Sequence, residues 1–107
     1  MAKRRKDNQD LAGTTAYYGG WSGYGVPRVP QEPLSEEEAG ARDSYYVARY
    51  DSEGRLASFE KFLNGDRDWA DEYAYWDSGK VKERVMRKPD GSQNVQRFDK
   101  RGRIEHD

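Results

Sequence analysis

The chain has 107 residues, of which 34% are hydrophobic and 36% charged, and its net charge is −1. This length allows about one small domain with a thin core, and the absence of cysteine excludes a disulfide framework and a thiolate metal site. No apolar run approaches the roughly 20 residues that a membrane span requires. We therefore expect a soluble, cytoplasmic protein, and the 13% aromatic content argues against a disordered one.

The charge is unevenly distributed along the chain. Residues 1–34 carry five cations and three anions, residues 35–79 five cations and twelve anions, and residues 80–107 nine cations and five anions. An acidic middle between basic ends favours intramolecular complementarity or a polar interface over a dedicated nucleic-acid binder, whose whole domain is usually basic.

Residues 1–15 form a polar segment without periodicity, and it begins with the basic cluster Lys3 to Lys6. No apolar stretch follows that cluster, so it is not typical of a signal peptide. We predict a disordered basic tail. A binding arm for RNA or anionic lipid is the alternative, although Asp7 and Asp10 partly neutralise its charge.

Residues 16–34 form a leader in which large aromatics are separated by glycines and then followed by prolines. This composition predicts neither a helix nor a strand. One interpretation is a flexible surface that stacks on a partner; the other, which we favour, is a loop that covers the apolar face of a thin sheet. The prolines recur at 27, 30 and 33, which favours a stiff polyproline spacer over a ligand for an SH3-type groove. The leader aromatics are Tyr17, Tyr18, Trp21 and Tyr24.

A short helix is predicted after the leader. Ser35 is placed as its N-cap and Glu38 as the capping-box partner three residues later, and the acidic first turn suits the helix dipole. We expect the helix to end near Asp43 or Ser44.

From residue 45 onwards one sequence motif, here called the phrase, occurs three times. It consists of an aromatic residue, an Asp, a short spacer, a Gly, a cation and an aliphatic residue. Its aromatics are Tyr50 in the first copy, Tyr75 and Trp76 in the second, and Phe98 in the third. The phrase predicts a tight turn between strands, in which the Asp side chain caps the turn and the Gly supplies a positive φ. With two further turns of the same chemistry, the predicted turn-forming glycines are Gly54, Gly65, Gly79, Gly91 and Gly102.

These turns predict a mainly β fold, an antiparallel meander of about six strands built from β-hairpin repeats, with one short N-terminal helix and the aromatic-Gly leader. We expect a bulge in the second strand, because Leu56, Phe59 and Phe62 do not keep one parity. The predicted domain organisation is a tail at 1–15, a leader at 16–34 and a helix-plus-repeat domain at 35–107. The predicted strands are 45–51, 55–63, 67–77, 80–88, 93–99 and 102–106.

The hairpin phrases resemble variant MORN repeats, which occur in bacterial proteins labelled antitoxin-like, and the YD repeats of large secreted shells. The resemblance covers about residues 45–105, with Tyr or Trp before each turn and Arg or Lys followed by Leu or Val after it. It implies a β-hairpin scaffold with no shared catalytic residue, and an antitoxin-like or immunity-like inhibitor as function. The leader is similar to the opening of small uncharacterised proteobacterial proteins, which implies no activity.

The sequence offers little for catalysis. The single histidine, His106, stands beside the C-terminus, and there is no cysteine to act as a nucleophile. The run Asn64-x-Asp66-x-Asp68 imitates a calcium loop, but Trp69 replaces the required Gly and Tyr75 the required Glu. We predict no enzyme, no cofactor and no metal; a hydrolase using paired acids is the least favoured hypothesis.

The leading functional hypothesis is a small accessory protein that binds another protein. Single-stranded nucleic-acid binding through aromatic stacking and the basic ends is the alternative. Self-association stays open, since predicted edge strands at 45–51 and 102–106 are able to pair between copies. The candidate partner-binding residues are Tyr17, Tyr18, Trp21, Tyr24, Trp69 and Trp76.

Overall fold

The computed structural model describes residues 11–23 and 25–105. This part of the chain forms one seven-stranded antiparallel sheet, in the order β2-β1-β3-β4-β5-β6-β7, and one short helix. The prediction of a mainly β, antiparallel fold is confirmed. None of the helices in these residues has the length and apolar character that crossing a bilayer requires. The elements are β1 (Thr15–Ser22), β2 (Val29–Leu34), α1 (Glu36–Gly40), β3 (Ser44–Tyr50), β4 (Leu56–Leu63), β5 (Asp66–Tyr75), β6 (Val81–Arg87) and β7 (Gln93–Arg97).

Five of the six predicted strands correspond to β3 through β7, with each end within two residues of its predicted place. The predicted strand at 102–106 is wrong over its described part, where a single bridge joins Phe98 to Ile104. The strand predicted at one edge, 45–51, is interior, because β3 pairs with β1 and with β4. β4 contains a bulge at Ala57, as the broken parity predicts: Arg49 pairs with Ser58 and Tyr50 with Leu56, so Ala57 is left without a partner on β3.

Four turns share one backbone geometry: the N–H of the first residue donates to the carbonyl of the fifth, and the N–H of the fourth donates to the carbonyl of the first. Their first residues are Asp51, Trp76, Lys88 and Asp99. The fourth residue is always glycine, with φ between 80° and 94°, a conformation in which a Cβ would be strained. Gly65 also has a positive φ, of 88°, in the two-residue turn between β4 and β5.

The leader forms β1 and β2, so the prediction that it contains no strand is wrong. β1 pairs with β3 on one side and with β2 on the other, and these hydrogen-bonded neighbours outweigh the low strand propensity of glycine. The prediction of a polyproline spacer is also wrong, because Pro30 and Pro33 lie in β2. β2 is an edge strand, in which only one side is paired and proline is tolerated.

The hairpin of β1 and β2 bends over one face of the sheet, here called the core face. β1 pairs with β3 only as far as Tyr18, and after β1 the chain folds back so that Val26 packs against the core cluster. Phe59 is fully buried at the centre of this face. The leader therefore covers the sheet, which agrees with the favoured of its two interpretations. The cluster comprises Ala48, Leu56, Phe59, Tyr73, Val81 and Phe98.

Helix α1 begins as predicted. The Ser35 hydroxyl accepts the N–H of Glu38 at 3.0 Å, and the Glu38 carboxylate accepts the N–H of Ser35 at 2.8 Å, which completes the capping box. The helix ends at Gly40, earlier than predicted. Most of the predicted tail, residues 1–10, lies outside the described part of the chain. Its predicted end at 15 is wrong, because the Gly13 N–H donates to the Asp51 carbonyl, the Thr14 carbonyl accepts the N–H of Tyr50, and β1 begins at Thr15.

Candidate binding site at the turn end of the sheet

The structure separates the predicted partner-binding aromatics. Tyr18 and Trp69 pack against the core cluster, and Tyr17 lies against Tyr45 with ring centroids 6.3 Å apart. Trp21 is 39% exposed. Trp76 is half-buried in the turn between β5 and β6. Tyr24, the last member of the set, lies outside the described residues.

Trp21 and Trp69 are brought together by Arg28. The Arg28 guanidinium carbon lies 4.2 Å from the Trp21 ring centroid and 4.6 Å from that of Trp69. Its Nε donates to the Asp71 carboxylate at 2.8 Å, which ties the tip of the leader hairpin to β5. Sequence reasoning placed Arg28 in a spacer and missed this role; a lone cation that follows a Trp within a proline run was the available signal.

Asp71 is the polar centre of the core face, and it is 2% exposed. Its Oδ2 accepts hydrogen bonds from Arg28 Nε, from Arg84 Nη2 at 2.7 Å and from the Tyr73 hydroxyl at 3.0 Å. Burial raises the pKa of Tyr73 to about 12, so this hydroxyl remains a donor at neutral pH. The Oδ2 atom is already fully engaged by its neighbours, which assigns the cluster to cohesion of the fold.

The arginines of the sheet are all engaged by acids. On the face opposite the core, Arg49 and Arg67 both contact Glu60, and Arg87 and Arg97 contact acids of the neighbouring strands. These pairs arise because opposite residues of antiparallel strands share a face. Within the described residues the paired arginines are Arg28, Arg42, Arg49, Arg55, Arg67, Arg84, Arg87 and Arg97.

A different set of cations has no ion-pair partner in the part of the chain that the structure describes. Five of them lie in and beside two adjacent turns, the one that begins at Trp76 and the one that begins at Asp99. The two turns touch, since Lys80 Nζ donates to the carbonyl of Arg101 at 3.2 Å. We call these two turns with their flanking residues, 75–82 and 98–104, the turn end. The five cations are Lys80, Lys82, Lys100, Arg101 and Arg103.

An apolar groove of about 570 Å³ lies on one side of the turn end. Val26 and Pro27 of the leader hairpin form one wall, and the other apolar surfaces come from Val81, Phe98 and Ile104. Ile104 is 48% exposed, so an apolar side chain is presented to solvent there. A pair of cations from the two turns, Lys80 and Arg101, completes the lining.

A second cavity, of about 430 Å³, borders the same two turns and is here called the tryptophan cleft. The Trp76 indole is held by a hydrogen bond from its Nε1 to the carbonyl of Phe98, at 3.2 Å. Lys82 Nζ lies 4.9 Å and Lys100 Nζ 5.3 Å from the indole centroid. Sequence reasoning singled out neither lysine as a site residue, because both come to lie beside one ring only when two turns that are separate in the chain pack side by side.

The described residues contain no group of three His, Cys, Asp or Glu side chains arranged to hold a metal ion. His106 lies outside those residues. The two cavities that border the turn end are lined by aromatic or apolar groups and by cations.

Over residues 10–107 the chain matches a protein family described as a family of unknown function, DUF6156. The chain belongs to that family. No curated protein and no solved structure matches it. The resemblance to variant MORN and YD repeats stays a prediction.

Proposed function

We propose that this member of DUF6156 is a non-catalytic accessory protein that binds a segment of another protein in the apolar groove. The observation that carries the proposal is an apolar surface, partly exposed at Ile104, beside which Lys80 and Arg101 lack acidic partners among the described residues. An apolar centre with a polar rim is the usual anatomy of a protein interface.

The lining of the groove defines the chemistry of the segment. Val26, Phe98 and Ile104 suit an apolar anchor, whose burial supplies most of the binding energy. Lys80 and Arg101 suit acidic residues that flank the anchor, and they speed the encounter with a negatively charged partner. We therefore propose a short segment in which one apolar residue stands between acids.

The leader contributes to this function indirectly. Arg28, held between Trp21 and Trp69 and bonded to Asp71, fixes the hairpin tip that carries Val26 and Pro27 into the groove wall. Trp21, which was predicted to touch the partner, thus acts in this proposal by shaping the groove. A cytoplasmic location and an inhibitory, antitoxin-like role stay predictions of the sequence.

Selection from a peptide display library tests the proposal, followed by affinity measurements on the selected peptides. We expect enrichment of peptides with an apolar residue flanked by Asp or Glu. Ile104→Asp should weaken their binding at least tenfold, and Lys80→Glu by a smaller factor that shrinks at high salt.

The chain offers matched controls for both changes. Val95 is a 40% exposed apolar residue in β7, and Lys88 is an exposed cation in the β6–β7 turn; neither lines the groove. Val95→Asp and Lys88→Glu should leave affinity unchanged. Enrichment without acidic residues, or equal losses in the two aspartate variants, would rule the groove out as the binding surface.

A further inference from the structure

Trp76 departs from the repeat in a way that its turn does not require. In the first and third copies an Asp is the first residue of the turn, and its Oδ1 accepts the N–H groups two and four residues further on. In the second copy Trp76 takes that place and the Asp follows as Asp77, yet the backbone geometry of the turn is the same. The indole is therefore not needed to cap this turn.

The indole is nevertheless held in a fixed place. Its Nε1 donates to the carbonyl of Phe98, so its orientation is tied to the segment after β7. Lys82, near the start of β6, and Lys100, in the turn that begins at Asp99, approach the same ring, and no acid pairs with either of them in the described residues. An anchored aromatic ring flanked by two available ammonium groups is the combination with which proteins hold single-stranded nucleic acid.

We propose that the tryptophan cleft binds a nucleotide unit of single-stranded nucleic acid, with the base stacked on the Trp76 indole and the phosphate between the Lys82 and Lys100 ammonium groups. An ammonium gains more from a charge-assisted contact with a phosphate than from an exposed aromatic ring, so both lysines exchange the ring for the phosphate on binding. The cleft of about 430 Å³ has room for one such unit.

Asp77 gives the proposal a consequence that a general attraction between charges does not share. It also lines the cleft, and its carboxylate carries the charge that repels a phosphate. Asp77→Asn should therefore tighten binding. The Ser78 hydroxyl, which also lines the cleft and accepts the N–H of Lys80 at 3.4 Å, offers a neutral hydrogen-bonding group to the sugar or phosphate.

Fluorescence anisotropy of labelled oligo(U) and oligo(dT), titrated with the full chain at low and moderate salt, tests the proposal. We expect Trp76→Leu to weaken binding about tenfold or more through the lost stacking. Lys82→Gln and Lys100→Gln should each lower the slope of log affinity against log salt by about 0.7. Lys88→Gln, in the β6–β7 turn at the opposite end of β6 from the cleft, is the matched control and should keep the wild-type affinity and slope.

Uridine monophosphate, added as a competitor, distinguishes the sources of the nucleotide unit. Displacement of the oligonucleotide by uridine monophosphate would assign the cleft to a free nucleotide. If the oligonucleotide stays bound, the cleft is assigned to a nucleotide within a strand. The proposal is overturned if the oligonucleotides do not bind at low salt, or if the double variant of Lys82 and Lys100 binds like wild type. The lysine variants keep Trp76, so they test the proposal even if the Trp76 variant does not fold. Lys82 and Lys100 do not line the apolar groove, so their result does not depend on whether the groove binds a protein segment.

Discussion

The arginines of the sheet and the cations of the turn end carry the same charge but have different neighbours. Arg28 and Arg84 converge on a carboxylate that is almost fully buried, and the arginines on the opposite face pair across strands. Lys82 and Lys100 lie beside an indole, without an acidic partner in the described residues. The difference teaches that cations paired with acids hold the fold together, whereas the cations without such partners are the ones beside which we propose an anionic ligand.

The largest expected effect is on the buried side of this comparison. Asp71→Ala leaves Arg28 and Arg84 as uncompensated charges beside the core and should cost about 3–5 kcal/mol in the free energy of unfolding. Urea denaturation measures it. Glu83→Ala, which removes the exposed partner of Arg97, is the control and should cost about 0–1 kcal/mol. Equal losses in the two variants would contradict the division into structural and exposed pairs.

The turns provide a second, smaller contrast between copies of the repeat. Asp51 accepts the N–H groups of Glu53 and Arg55, both at 2.9 Å, so Asp51→Ala should cost about 1–2 kcal/mol. Asp77 stands in the corresponding phrase but accepts no hydrogen bond from the described residues, and Asp77→Ala should stay within about 0.5 kcal/mol. Thermal unfolding of both variants checks this; a larger loss at Asp77 would show that it caps its turn after all.

Acid should weaken the capped turns in particular. Burial alone would raise the pKa of Asp51, but the hydrogen bond from the Arg55 backbone and its companions hold that pKa below the ordinary value. The backbone N–H of Arg103 likewise lowers the pKa of Asp99. The unfolded chain therefore takes up protons at higher pH than the folded one.

The stability that these carboxylates contribute is complete above their ordinary pKa of about 4 and is lost as the pH falls through their lowered values. Urea denaturation between about pH 6 and about pH 2 should show a decline that begins near pH 4 and is shallower in Asp51→Asn. A pH-independent free energy of unfolding over this range would show that the turn carboxylates contribute nothing.

A small effect on stability is also expected at the two lysines that we propose to hold the phosphate. Replacing Lys82 and Lys100 together by Gln removes two exposed cation–π contacts and relieves repulsion among five neighbouring cations. The two changes offset each other, so the free energy of unfolding, measured by urea denaturation, should change by less than about 1 kcal/mol. A large loss would assign these lysines to the fold instead.

The sequence by itself determined the hairpin part of this protein. The phrases around Gly54, Gly79 and Gly102 predict turns whose backbone geometry is local, because an αL glycine closes the turn without help from distant residues. An Asp side chain also caps the first and the third of these turns. The capping box of Ser35 and Glu38 is local for the same reason. The strands between these turns were predicted with bounds close to the observed ones.

Tertiary structure decided what local chemistry does not encode. Glycines and prolines disfavour a strand, yet β1 and β2 form because β3 supplies a hydrogen-bonding neighbour and the core face requires a cover. The meeting of Arg28 with Asp71 spans 43 residues of chain, and that of Trp76 with Lys100 depends on two separate turns lying side by side. Residue types predicted a binding protein, but which aromatic and which cations share a site depends on contacts between segments that are distant in the chain.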